Sequence, residues 1–195
     1  MIDPSFWKGR RVLITGHTGF KGGWLSLWLT KLGAKVYGYA IDPPNSPSFF
    51  KEAKVESFIE KSIYGNILDI ELFTKKMLDI SPEIVIHMAA QSLVKESYTN
   101  PQLTYSTNIM GTVNLFEAIR KTPSVKAVLN ITSDKCYENN ETDIGYTEKD
   151  PMGGFDPYSS SKGCSELISS AYRNSFFHNS GIALATARAG NVIGG

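Results

Sequence analysis

The chain is poor in the residues that staple or metallate small proteins. Only two cysteines, Cys136 and Cys164, occur in 195 residues, with no CxxC pair, and both read as free buried or half-buried thiols. The three histidines, His17, His87 and His178, fall at no metal-ligand spacing, so no metal site is expected. Charge of one sign is lacking too: 20 basic against 19 acidic residues leave +1 with no long like-charged run, so neither nucleic acid nor an anionic membrane is an expected partner. No apolar run approaches the roughly 20 residues that span a bilayer. The first residues carry no charged segment followed by an apolar stretch, so a cytoplasmic location is expected. What is there, 42% hydrophobic and 20% charged residues, suits one soluble domain over 1–195 with one substantial core.

Short β-branched runs recur along the chain at 11–15, 35–41, 58–63, 84–88, 127–131 and 182–187. Between them lie helical patterns: one after Gly23 that closes at Gly33, then 70–80, 101–121 and 159–177. In the first of these Trp24 and Trp28 read most simply as core. Six strands alternating with helices predict an α/β fold, a doubly wound parallel sheet of the Rossmann type with helices on both faces. Ligands then belong at the carboxyl ends of the strands. The Pro-rich stretch 43–47 reads as a rigid surface loop, and 138–155 as a polar, Gly-rich loop.

Gly16-His17-Thr18-Gly19-Phe20-Lys21-Gly22 joins the first strand to the first long helix, a GxxGxxG arrangement. Glycines at such a junction let the chain turn sharply and approach a pyrophosphate, which the helix N-terminus then faces. A dinucleotide, NAD in preference to NADP, is the expected cofactor. Asp42 stands where an acid meets the adenosine ribose, or else merely starts a turn before the prolines. Lys21 and His17 lie beside the phosphate path and could instead favour a 2′-phosphate. Asn66 and Ile67, after the third strand, are candidates for covering the adenine.

Tyr158 and Lys162 stand four apart and so share a helix face. Roughly one such pair is expected by chance in a chain with this many tyrosines; its position, opening the helix after the fifth strand, is what singles it out. Ser133, just past that strand, is a second hydroxyl able to meet a substrate oxygen.

With these residues the chain resembles the extended short-chain dehydrogenase/reductases, which combine a GxxGxxG loop, a hydroxyl residue after the fifth strand and YxxxK. More narrowly, residues 16–22, His87-Met88-Ala89-Ala90-Gln91, Thr107-Asn108, the run 132–139 and the run 188–195 resemble the sugar-nucleotide 4,6-dehydratases of the CDP-glucose type. The resemblance implies a nucleotide-sugar substrate, CDP-glucose favoured, and internal hydride transfer through NAD with loss of water. Tyr158 would be the base at the sugar 4-hydroxyl, its phenol acidified by Lys162 and the nicotinamide. Ser133 would polarise the same oxygen. Asp134 and Lys135 would be the acid and base of water elimination, provided burial shifts both; an ion pair or a phosphate contact is the plainer role for Lys135, and a structural hydrogen bond for Asp134.

The resemblance also implies that Ala89, Ala90 and Gln91 contact the cofactor, that Asn108 lies close to the active site, and that Arg188 and Asn191 face cofactor or substrate, although a capped strand end explains the last two equally. His87 reads as a packed histidine. A homodimer or higher homo-oligomer is expected, pairing through the helices at 101–121 and 159–177. A smaller C-terminal substrate region is expected to be absent, which leaves turnover by this chain in question. A sugar-nucleotide 4-epimerase, which needs no elimination pair, and a non-catalytic cofactor-binding or dimerisation module are the rival readings.

Overall fold

The computed structural model describes residues 3–43, 45–141 and 143–193. Pro44 of the Pro-rich loop and Gly194 and Gly195 of the final motif lie outside the described residues. The elements run α1 (Pro4–Trp7), β1 (Arg11–Thr15), α2 (Phe20–Lys31), β2 (Lys35–Ala40), α3 (Phe49–Glu52), β3 (Lys61–Tyr64), α4 (Ile70–Ile80), β4 (Ile84–His87), α5 (Val94–Thr99), α6 (Pro101–Tyr105), a π turn at Ser106–Met110, α7 (Gly111–Arg120), β5 (Ala127–Ile131), α8 (Pro157–Tyr172), a second π turn at Arg173–Phe177, and β6 (Ala183–Ala187).

All six strands pair in parallel in the order β3-β2-β1-β4-β5-β6. The chain winds outward from β1 to β3, then crosses back to β4 and winds the other way. The crevice between the carboxyl ends of β1 and β4 is therefore the switch point where such sheets bind ligands. Alternation along the strands divides the core. Leu13 and Val85 enter one cluster with Phe73, Met77, Leu115, Phe116 and Phe177 from α4, α7 and the second π turn. Val12, Ile14, Ile84 and Ile86 enter the other, with Leu29 of α2 and Phe50 of α3. The doubly wound sheet expected from the sequence is thus present.

Two local expectations are corrected. Residues 58–63 do not form one strand: a 3-10 turn covers Val55–Ser57, Phe58 is exposed, and β3 starts at Lys61. The helix expected at 101–121 is continuous over Pro101–Arg120, with one π turn in its middle that carries Asn108. Trp24 and Trp28 are not core: they are 42% and 50% exposed. The buried face of α2 is instead the column Gly22, Gly23, Ser26 and Leu29, whose small members bring the helix close to the sheet and turn its bulk outward. Trp24 stacks on Phe49 with ring centroids 4.7 Å apart.

Candidate active site

The glycine loop meets the sheet at the switch point. Gly16 has φ +77°, and a Cβ there would lie 2.7 Å from the Ala89 nitrogen; one on Gly22 would lie 2.2 Å from the Gly16 carbonyl oxygen. Only glycine permits this closeness. Thr15 fastens the two sides together, its hydroxyl oxygen accepting from the N–H groups of Met88 and Ala89 at 3.1 Å each. The Thr15 proton then goes to His87 Nδ1, 2.7 Å away. Burial, with Lys162 nearby, pushes His87 down to about 3, so it is a neutral packed ring, as its sequence context suggests.

Gly19 caps α2 without a side-chain hydrogen bond. The N–H groups of Phe20, Lys21 and Gly22, having no carbonyl one turn earlier, are left for an anion. Lys21 adds positive charge and is close enough to Lys162 to depress it. This bare helix N-terminus, with two lysines and a backbone too tight for side chains, fits a dinucleotide pyrophosphate.

His17 is a correction. Its ring lies under the loop, fully buried, with Nε2 2.7 Å from Ser62 Oγ and an edge against Phe50. Burial lowers it to about 4. It is therefore neutral and cannot supply charge for a phosphate; only its backbone lies on that path. The Ile67 side chain is likewise turned into the core, packed over Gly111, so that Asn66 is the exposed member of that pair. Asp42 is exposed just beyond β2, and Asn191 is exposed past β6.

The catalytic candidates converge at the ends of β5 and α8. Asp156 caps α8, accepting from the Ser159 N–H at 3.0 Å, which places Tyr158 in the first turn and Lys162 one turn on. Tyr158 is 9% exposed and lies near Ser133. Its phenol is pushed up, burial first and Asp134 and Asp156 adding, although Ser133 nearby favours the phenolate. The expected acidification by Lys162 is therefore not a property of the protein alone. Lys162 Nζ instead donates to the Ile131 carbonyl at 3.2 Å, and burial brings it down to about 8.

Asp134 Oδ1 accepts from Ser133 Oγ at 3.0 Å, on a 3-10 turn, Asp134–Cys136, that also presents Lys135. Both Asp134 and Lys135 are exposed. The burial that was to shift them is thus not built by the described residues, and no ion pair joins them among those residues. Asn108 is committed to protein: Oδ1 accepts from the Gln91 N–H at 2.8 Å, and Nδ2 donates to the Gln91 carbonyl at 3.0 Å and to Ser161 Oγ at 2.8 Å. It braces the Ala89-Ala90-Gln91 loop against α8 rather than pointing into the crevice. Arg188, too, is turned inward, onto Glu166.

Two features have no counterpart in the sequence reading. Ser161, Ser165 and Ser169 form a buried column, with Asn130 of β5 donating to Ser165 and Ser169 at 3.0 and 2.9 Å. Glu166 is buried beside it. The spacing of four between the serines is the signal that could have revealed the column.

The family model described as GDP-mannose 4,6 dehydratase matches residues 13–189. The chain belongs to this family. A curated member, CDP-glucose 4,6-dehydratase of Salmonella typhimurium, is 56% identical over 100% of the chain and 55% of its own length. UDP-glucuronate 4-epimerase 1 of Arabidopsis thaliana is 32% identical over 95% of the chain and 44% of its own length. The chain thus spans about half the length of the curated relatives it matches. Among solved structures, UDP-glucose 4-epimerase from Brucella ovis in complex with NAD superposes with a TM-score of 0.76 at 25% identity, covering 92% of this chain and 51% of that one. Membership in the dehydratase family agrees with the switch-point crevice and the Tyr158–Ser133 pair. No helix among the described residues is long and apolar enough to cross a membrane.

Proposed function

We propose that this chain is the cofactor-binding part of a sugar-nucleotide 4,6-dehydratase that holds NAD and converts CDP-glucose to its 4-keto-6-deoxy form. The observation that carries the reading is the 56% identity to a CDP-glucose 4,6-dehydratase in a chain that brings Tyr158, Ser133, Asp134 and Lys162 to one strand end. The loop of Gly16, Gly19 and Gly22 and the first N–H groups of α2 would hold the pyrophosphate. Asp42 would meet the adenosine ribose, Asn66 and the Ile67 backbone would border the adenine, and Ala89, Ala90 and Gln91 would wall the nicotinamide side. Bound there, NAD would supply a reversible hydride acceptor, serving C4 first and C6 last.

The chain's own groups handle the protons. Tyr158 takes the 4-hydroxyl proton, helped by the Lys162 charge once the cationic nicotinamide offsets burial of the phenol. Ser133 donates to the oxygen as it becomes a carbonyl. The ketone acidifies C5–H; Lys135 removes that proton and Asp134 protonates the departing 6-hydroxyl, so one water leaves, and Lys135 gives the proton back to C5 as hydride reaches C6, so no net oxidation remains. Sugar seated over the exposed turn would supply the desolvation that this pair needs. Asn191 would touch the sugar. We place the protein in the cytoplasm, with its small-molecule partners, as a homodimer through the helical stretch from α6 to α7 and through α8, where Leu103, Met110 of the π turn and Leu167 are exposed.

Incubating the chain with NAD and CDP-glucose and following product by mass spectrometry tests the reading. Loss of one water, abolished in Tyr158→Phe, is expected. An isomer of unchanged mass would assign a 4-epimerase, and NAD binding without turnover would leave a cofactor-binding module.

A further inference from the structure

Glu166 and Arg188 form a buried polar network that ties α8, β6 and the turn after β5 together, and no step above uses either. Glu166 lies one turn after Lys162 on α8 and is 3% exposed. Its Oε1 accepts from Thr132, the residue before Ser133. Its Oε2 accepts from Thr186 Oγ1 of β6 at 2.9 Å and from Arg188 Nη2 at 3.1 Å. Burial opposes the charge on the carboxyl, but these donors together hold Glu166 below the ordinary range, and the same contact raises Arg188.

The second arm of the Arg188 fork reaches the catalytic turn. Arg188 Nη1 donates to the Tyr137 hydroxyl at 2.9 Å, and its guanidinium carbon lies 4.9 Å from the centre of that ring. Tyr137 directly follows Asp134-Lys135-Cys136. On its other side it stacks on Tyr146, centroids 5.0 Å apart and 12° between planes. Tyr146 in turn accepts from the Asn140 N–H at 2.9 Å and donates to Asn139 Oδ1 at 3.2 Å.

A buried ion pair is a poor device for stability alone, because desolvating both charges offsets most of their attraction and an apolar pair of similar volume does as well. What it supplies is direction: a planar fork with two fixed donors sets two acceptors at once. Here those acceptors belong to the helix of Tyr158 and Lys162 and to the turn of Asp134 and Lys135. We propose that Glu166 and Arg188 are positioning residues, which hold the elimination turn at 133–137 in register with the helix that carries the oxidation machinery. The catalytic half of this proposal rests on the dehydratase reading; the geometric half does not.

Cys136 gives a reporter independent of turnover, since it lies inside the turn, fully buried. In a Cys164→Ser background, its labelling by a thiol reagent is compared in the parent, Arg188→Lys and Tyr137→Phe, with thermal midpoints measured alongside. Lysine keeps the charge opposite Glu166 but loses the fork, and phenylalanine keeps the stacked ring but loses the acceptor. Labelling faster by about tenfold in both, with midpoints little changed, is the result expected of local opening. Unchanged labelling, or labelling that rises only in step with lost global stability, overturns the proposal.

With CDP-glucose added, the same variants are expected to slow water loss about tenfold or more while C4 oxidation persists, so that reduced nicotinamide absorbance accumulates. Equal slowing of both steps would contradict the positioning role. A parent chain that labels as expected but forms no dehydrated product would sink the dehydratase reading and leave the geometric half intact.

Discussion

At the scale of single residues, buried titratable groups decide how the protein responds to pH. His17 and His87 are neutral when folded, at about 4 and about 3, against 6.5 when free. Below 6.5 the unfolded chain binds protons that the folded chain refuses, so stability is full above 6.5 and falls as pH drops toward 4. Each unit is about 1.4 kcal/mol, which makes the two rings together a large share of a typical 5–15 kcal/mol. Thermal midpoints followed from pH 7 to 4 are expected to decline, with a shallower decline in His17→Gln. Lys162 is depressed as well, to about 8 from 10.5, so its buried charge costs stability below pH 8 and the cost is relieved as pH rises toward 10.5. Lys162→Met is therefore expected to raise stability near neutrality by about 1–3 kcal/mol, measured by denaturant unfolding. The same variant should lose turnover; a fall in stability would show that the bond to the Ile131 carbonyl outweighs the desolvation.

At the scale of elements, the strands were legible because parallel strands covered on both faces read as plain β-branched runs, as at Arg11–Thr15 and Ile84–His87. The first long helix was legible in place but not in orientation. Its four buried residues are small ones and one leucine, and an apolar tally favours the tryptophans instead. The join of α8 to β5 was also hidden, because it is made by serines and an asparagine rather than by apolar side chains. Ser165 accepts from Asn130 and donates to Thr112 Oγ1 at 3.1 Å, whose own proton goes to the Asn108 carbonyl. Ser165→Ala is expected to cost about 1–2 kcal/mol, read from the urea midpoint at unchanged slope. The loss is limited because Ser169 still receives Asn130.

At the scale of the whole molecule, the site lies where two windings of the sheet diverge, and its chemistry is spread over loops from β1, β4 and β5. The elements that brace it, α6, the π turn that follows it and α8, expose Leu103, Met110 and Leu167 at 42%, 50% and 61%. If a second copy covers this face, Leu167→Glu should weaken association by about tenfold or more, with sedimentation velocity as the measure, and should leave NAD affinity unchanged. Monomeric parent protein at micromolar concentration would remove the dimer proposal.

The strand periodicity and the glycine spacing between the first strand and helix determined by themselves the fold class and the place of the cofactor crevice, because each is a local pattern with a preferred backbone outcome; the Tyr158–Lys162 interval marked a candidate helix only through its position after the fifth strand. Tertiary structure alone decided the rest. His17 became a buried wedge over Gly38, where a Cβ would come within 2.2 Å of its ring. Asn108 became a brace, and Arg188 turned from the crevice to Glu166, 22 residues away. A side chain with hydrogen-bonding capacity goes wherever a partner satisfies it once water is removed, and those partners lie far off in sequence, where no local pattern records them.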